Sequence, residues 1–191
     1  MVRCYYMDSS NEDKRLPHEL SPPQNVDLET LYKKTGVLYF KIDESDWSGP
    51  EAMGKLKEIR EKRGYTYQDV CAISKESLGE AYDDKINMFY KEHLHTDEEI
   101  RLIEEGSGYF DVRDSSDRWI RIRVEKGDML IVPAGIYHRF TVDTSNQIRA
   151  RRFFVGEPVW TPINRPADEQ EARKTYLNNL EEKFSVGIGF A

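Results

Sequence analysis

Two stretches of this chain concentrate side chains whose types and spacing could hold a metal ion. Glu92-His93-Leu94-His95-Thr96-Asp97-Glu98-Glu99 carries two of the four histidines, and His138 follows Gly127 and Pro133-Ala134-Gly135 further along. Residues two apart on a strand share a face, so His93 and His95 point the same way, as do Glu99 and Arg101 if the strand stays regular through Asp97. One face would then present two imidazoles, a carboxylate and a guanidinium. His138 belongs to the face Ile136, His138, Phe140, Val142, which is otherwise apolar and reads as inward and buried. Alone, such a histidine is more often a satisfied core residue than a ligand, and an isolated H-x-H is a weak signal. The combination carries the weight, provided the fold brings the two stretches together.

The elements that must do so are mostly strands. From 87 to 154 the sequence consists of short β-type runs broken by Gly, Asp and Ser. Runs over 100–105 and 109–113 flank Gly106-Ser107-Gly108, which predicts a hairpin. Residues 119–124 alternate, with Ile120, Ile122 and Val124 on one face and Trp119, Arg121 and Arg123 on the other. Runs over 129–132, 137–142 and 148–154 complete a set that predicts a sandwich or small barrel. Upstream, a short strand is expected over 3–7, then a polar, proline-bearing loop over 8–23 in which His18 reads as solvated. A helix capped by Asp27 and ended by Gly36, a strand over 37–42 and a charged helix over 51–63 with Leu56 and Ile59 on one face follow. Residues 65–80 read as partly helical and 81–90 as a continuation. Asp168 opens a terminal helix carrying Ala172, Tyr176, Leu180 and Phe184, and the tail 185–191 has no readable role. The whole is one domain over 1–191: a mixed helical flank with short strands over 1–86, a metal-binding β-barrel core over 87–156, and a C-terminal helix and tail over 157–191.

Composition narrows the functional classes. A chain of 191 residues with 38% hydrophobic and 12% aromatic content is long enough to bury a sizeable core. A net charge of -7 argues against nucleic acid or an anionic membrane as partner, because phosphate binding needs a basic patch. No apolar run approaches the ~20 residues of a membrane span, and the N-terminus has no signal-peptide core. Cys4 and Cys71 have neither a disulfide framework's number nor a metal site's spacing. These features predict an intracellular protein.

The spacings resemble the two cupin motifs, G-x5-H-x-H-x3-4-E-x6-G and G-x5-P-x-G-x2-H-x3-N. Glu99 lies four residues after His95 and Gly106 follows after six more; Gly127 is followed after five by Pro133-x-Gly135-x-x-His138. Met88 or Phe89 stands near the first glycine's place and Val142 replaces the closing asparagine, neither being a ligand position. Longer strings, Tyr90-Lys91-Glu92-His93-Leu94-His95, Gly108-Tyr109-Phe110-Asp111-Val112-Arg113-Asp114, Gly135-Ile136-Tyr137-His138-Arg139-Phe140 and Gly156-Glu157-Pro158-Val159-Trp160, resemble the acireductone dioxygenase family.

The resemblance implies a mainly-β cupin fold, a double-stranded β-helix or jelly-roll barrel with flanking α-helices. It implies one metal ion per chain, held by His93, His95, Glu99 and His138. Such a ligand set suits a first-row ion such as Fe(II), Ni(II), Co(II) or Mn(II) and contains no thiolate to favour a softer metal; the resemblance implies Fe(II), with Ni(II) as the alternative. The implied reaction is the oxygen-using step of methionine salvage, cleaving 1,2-dihydroxy-5-(methylthio)pent-1-en-3-one with O2. The iron form yields 4-methylthio-2-oxobutanoate and formate; the nickel form yields methylthiopropionate, formate and CO. The substrate would chelate as a dianion, and Arg101 on the ligand face would bring the site's charge near zero. Phe89, Phe140 and Trp160 would wall the thioether tail, though each is also a plausible core aromatic. A monomer in the cytoplasm, with the nucleus as a second location, completes the expectation. Two other readings use the same motifs. A cupin sugar-phosphate isomerase or epimerase needs several cavity Lys or Arg, where parity places only Arg101; a non-catalytic cupin binding protein would have lost ligands.

Overall fold

The computed structural model describes residues 2–185 of the chain. Among them are ten strands: β1 (Arg3–Tyr6), β2 (Leu38–Lys41), β3 (Tyr67–Ile73), β4 (His93–Leu94), β5 (Glu99–Arg113), β6 (Trp119–Glu125), β7 (Asp128–Val132), β8 (His138–Val142), β9 (Ile148–Phe154) and β10 (Ile163–Asn164). All pairings are antiparallel, and β5 is the strand that both halves of the barrel share. Its first part pairs with β7 (Glu99 opposite Val132) and with β9 (Arg101 opposite Arg152). Its second part pairs with β6 and β8, placing Val112 opposite His138. One sheet therefore runs β2-β7-β5-β9-β3 and the other β1-β6-β5-β8-β4-β10. This is the mainly-β architecture expected.

The hairpin expected at Gly106-Ser107-Gly108 is absent, because these residues lie inside the continuous strand β5. Gly106 has φ 73, and a Cβ there would come within 2.1 Å of the Gln147 carbonyl oxygen; a Cβ on Gly108 would meet Thr141 O at 2.7 Å. The glycines permit a bend and close strand approach where β5 passes from one sheet to the other, beside a register shift between Ile103 and Glu105. A second difference is β3, in a region that read as partly helical. Its residues pair one for one with β9 from Tyr67 opposite Phe154 to Ile73 opposite Ile148, so sheet pairing overrides a weak local preference.

Helices flank the sheets. α1 (Leu28–Thr35) starts where Asp27 accepts from the Thr30 N–H at 2.6 Å and ends at Gly36 in the left-handed region. α2 (Gly54–Arg63) buries Leu56 and Ile59. After the short α3 (Lys75–Leu78), α4 (Tyr82–Tyr90) leads into β4, and α5 (Glu171–Asn179) continues as a π-helical turn over Leu180–Phe184. Ile120, Ile122 and Val124 face the core as expected. The tail 186–191 lies outside the described residues.

Two polar groups are buried where the sequence suggested exposure or gave no partner. Arg121 is fully buried and forks onto Asp111, with Nε 2.7 Å and Nη2 2.9 Å from the two carboxylate oxygens. Asp111 also accepts from Arg139, the residue after His138, at 2.8 Å, while Arg121 Nη1 donates to Leu16 O at 2.5 Å. His18, expected to be solvated, is instead buried: Nδ1 lies 3.0 Å from Asp8 Oδ1 and Nε2 3.0 Å from Asp13 O. The loop over 8–23 is thus folded onto the barrel by its own polar contacts. Replacing Asp111 by Ala would strand a desolvated guanidinium, so a loss on the order of 3–5 kcal/mol is expected in urea unfolding. A loss under about 1 kcal/mol would contradict the buried pair.

Candidate metal centre

Four side chains converge at one end of the barrel. His93 on β4 lies directly opposite His138 on β8, and the two rings are 4.5 Å apart between centroids. The chain does not stay extended to Glu99: β4 ends at Leu94 and a bend at Thr96-Asp97 precedes β5. That bend, and not uninterrupted strand parity, turns His95 and Glu99 toward the same point. Leu94 points the other way and is buried with Tyr137 and Ala167. The Pro133-Ala134-Gly135 turn is tied to this segment by the Gly135 N–H, which donates to His95 O at 2.9 Å. Gly135 has φ 80, and a Cβ there would sit 2.1 Å from the Ala172 carbonyl oxygen, so only glycine fits between the two.

The imidazoles are oriented by their outer nitrogens. Nδ1 of His93 lies 2.7 Å from Lys91 O, Nδ1 of His95 3.1 Å from Thr161 O, and Nδ1 of His138 2.9 Å from Ile136 O. A carbonyl only accepts, so each Nδ1 carries the proton and each Nε2 turns its lone pair inward. There it meets a carboxylate: Glu99 Oε2 is 2.9 Å from His138 Nε2 and 3.2 Å from His95 Nε2. One ligand atom from each of the four residues falls within 4.8 Å of the others. Lone pairs facing a carboxylate repel unless positive charge lies between them. Either imidazoles take up protons or a cation sits among the four, and the donor set fits a divalent first-row metal.

The electrostatics set the imidazoles apart. Burial, then neighbouring His138, pushes the His93 pKa down to about 4, keeping that ring neutral and ready to ligate. Burial acts against protonation of His95 too, but its hydrogen bond to Glu99 and that carboxylate's charge outweigh burial and raise it. Burial would raise the Glu99 pKa, yet the Arg101 guanidinium and the bonds from His138 and His95 hold it well below the usual carboxylate range. Arg101 Nη2 lies 3.3 Å from Glu99 Oε1, and Nη1 donates to Ile100 O at 2.9 Å.

The cluster opens into a cavity of about 120 Å³. Phe89 from α4 and Phe140 from β8 line it, with ring centroids 6.3 Å apart, and Phe110 stands 4.9 Å from Phe140. Trp160 also lines it but keeps different company. Its ring packs on Phe154 at 5.5 Å and carries the Arg152 guanidinium at 4.1 Å and that of Arg101 at 5.4 Å. Sequence reasoning missed Arg152, Cys71 and the apolar floor of Ile103, Ile148 and Ala150. The expectation of Arg101 as the single cavity cation is corrected: Arg152 shares the parity of Ile148 and Ala150 along β9, a pattern present in the sequence.

Comparison with known proteins agrees with this geometry. The family model described as ARD/ARD' family matches residues 3–162. The chain is 56% identical over 184 residues to acireductone dioxygenase of Drosophila melanogaster, covering 96% of this chain and 97% of that protein. It is 55% identical over 182 residues to acireductone dioxygenase of Rattus norvegicus, covering 95% and 98%. Among solved structures, acireductone dioxygenase from Bacillus anthracis with a cadmium ion in its active centre superposes with a TM-score of 0.65 at 25% identity, covering 85% of this chain and 98% of that one.

Replacing His95 or His138 by Ala should remove bound metal, measured by elemental analysis of the purified protein; full retention would refute the ligand set. Because His95 holds its proton more tightly than an ordinary histidine, metal must displace that proton once the pH falls below its raised value. Apparent metal affinity should then fall on acidification, approaching about tenfold per pH unit once His95 is mostly protonated. An affinity flat from about pH 7.5 to 5 would contradict this.

Proposed function

The chain belongs to the ARD/ARD' family, and on that premise we propose that it is a metal-dependent acireductone dioxygenase of methionine salvage, cleaving 1,2-dihydroxy-5-(methylthio)pent-1-en-3-one with O2. The observation that carries the reading is the convergence of three inward Nε2 atoms and a buried, ionised carboxylate beside a guanidinium, at the end of an otherwise apolar cavity. His93, His95, Glu99 and His138 would hold one ion per chain. We propose Fe(II) as the resident metal, with Ni(II) as the alternative that redirects the products from formate and 4-methylthio-2-oxobutanoate to formate, CO and methylthiopropionate. The bound ion supplies a Lewis-acidic template that brings a chelating enediolate and O2 together.

The protein's own groups do the rest. The backbone carbonyls of Lys91, Thr161 and Ile136 fix the three rings, so no reorganisation of the ligands is needed on binding. Glu99, ionised, offsets one positive charge. Arg101, charged and shielded from water, stabilises the anionic form of the substrate over the neutral one. Phe89 and Phe140 keep water from the apolar side of the cavity and offer ring faces and edges to a thioether sulfur. Trp160 closes the opposite side.

The sugar-phosphate reading needs several cavity Lys or Arg; the lining holds Arg101 and Arg152 with no lysine, and most of the rest is apolar. The binding-protein reading expects a lost ligand, and all four are present. We further propose a monomer acting in the cytoplasm, with the nucleus as a second compartment, on a small molecule and O2; the net charge of -7 supports the exclusion of nucleic acid and anionic membrane as partners.

Iron-loaded protein should consume O2 only when acireductone is supplied, and nickel-loaded protein should release CO. Unchanged O2 and substrate, with iron verified in the protein, would refute the assignment.

A further inference from the structure

We propose that Arg152 is a second substrate-binding cation, which together with Arg101 forms an anion-receiving edge on the cavity opposite the Phe89–Phe140 wall. The inference rests on the dioxygenase reading and adds a residue to its site. Arg101 and Arg152 are directly opposite one another in the β5–β9 ladder, and Asp69 is opposite Arg152 in the β9–β3 ladder. Like charges directly opposite on neighbouring strands are destabilising, so this row of two guanidiniums and one carboxylate across three strands is a cost to the sheet. The cost is only partly offset: Arg152 donates from Nε and Nη2 to Asp69 at 2.7 and 2.5 Å, while Arg101 has Glu99, which the metal cluster also claims.

Arg152 still has donors to offer. Its Nη1 has no protein partner among the described residues, and its side chain lines the same cavity as the four ligands. The Arg152 guanidinium carbon lies over the Trp160 ring, 4.1 Å from its centroid, and Trp160 also carries Arg101 on its ring. Asp69 and Trp160 therefore hold Arg152 from two sides and leave Nη1 without a protein partner among the described residues, on a side chain that lines the cavity. A planar donor held in this way suits an oxygen anion, which the enediolate substrate provides. Trp160 accordingly acts here as the support for two cations, and the thioether tail runs toward Phe89, Phe110 and Phe140.

The test uses the metal-loaded full-length protein. Arg152→Met should raise KM for acireductone about tenfold or more while kcat changes less than about threefold and metal content stays at the wild-type value. Arg152→Lys should recover most of the affinity. Asp69→Asn separates binding from bracing: if Arg152 only ties β9 to β3, Asp69→Asn and Arg152→Met should lower the melting temperature alike and leave KM unmoved, which would overturn the proposal. Should Arg152→Met fail to fold, Arg152→Gln is read the same way, and the rise of wild-type KM with salt must be steeper than that of Arg152→Gln. A wild-type protein with verified iron and no acireductone-dependent O2 uptake would instead refute the dioxygenase reading itself.

Discussion

Three hydrogen bonds from imidazole Nδ1–H groups to the carbonyls of Lys91, Thr161 and Ile136 are the constraint on which the site depends. They fix the tautomers, and with them the direction of three lone pairs, toward a carboxylate that is buried and ionised. Each bond draws on backbone within two residues of its histidine or, for His95, on the segment after β9 that also carries Trp160 and Pro162 into the cavity wall. The wall and the ligand geometry are therefore set by the same stretch of chain. The arrangement calls for positive charge among the four side chains, as protons on imidazoles or as a bound cation, and the donor set fits a divalent metal.

The fold exists around that arrangement in a specific sense. β5 begins with Glu99 and Arg101 in one sheet and ends with Val112 opposite His138 in the other, so the strand that carries one candidate ligand also pairs with the strand that carries another. The crossing is possible because Gly106 and Gly108 leave room for Gln147 and Thr141 backbone where any side chain would collide. Behind His138, Arg139 shares Asp111 with the buried Arg121, which in turn holds the N-terminal loop. The first ninety residues add β1, β2 and β3 to the outer edges of the sheets. This network ties the N-terminal loop to β5, β6 and β8 on the face of β8 away from His138.

Much of this was legible before any coordinates. The H-x-H, the following Glu99 and the distant His138 stand at spacings that resemble the cupin motifs, and the alternation of Ile120, Ile122 and Val124 marks a core face directly. Less legible were features decided by tertiary contact. Gly106-Ser107-Gly108 has the composition of a turn, and only the nearness of Gln147 shows that the glycines serve close packing. Residues 67–73 become a strand because β9 offers a partner. His18 looks solvated in a polar loop, yet Asp8 and Asp13 satisfy it internally. Arg152 was the readable omission: its parity with Ile148 and Ala150 places it inward, but the run Arg149-Ala150-Arg151-Arg152 has the look of a solvated strand edge.

The charges in the cavity follow one logic. Glu99 is kept ionised by Arg101, His93 is kept neutral by burial, and a second guanidinium, Arg152, is paired with Asp69 and lies over Trp160 at the cavity wall. X-ray absorption at the metal edge of the iron-loaded protein tests the central claim most directly. The account predicts first-shell scattering from nitrogen and oxygen only, with the multiple-scattering signature of three imidazoles. Sulfur in the first shell, or the signature of no more than one imidazole, would contradict it.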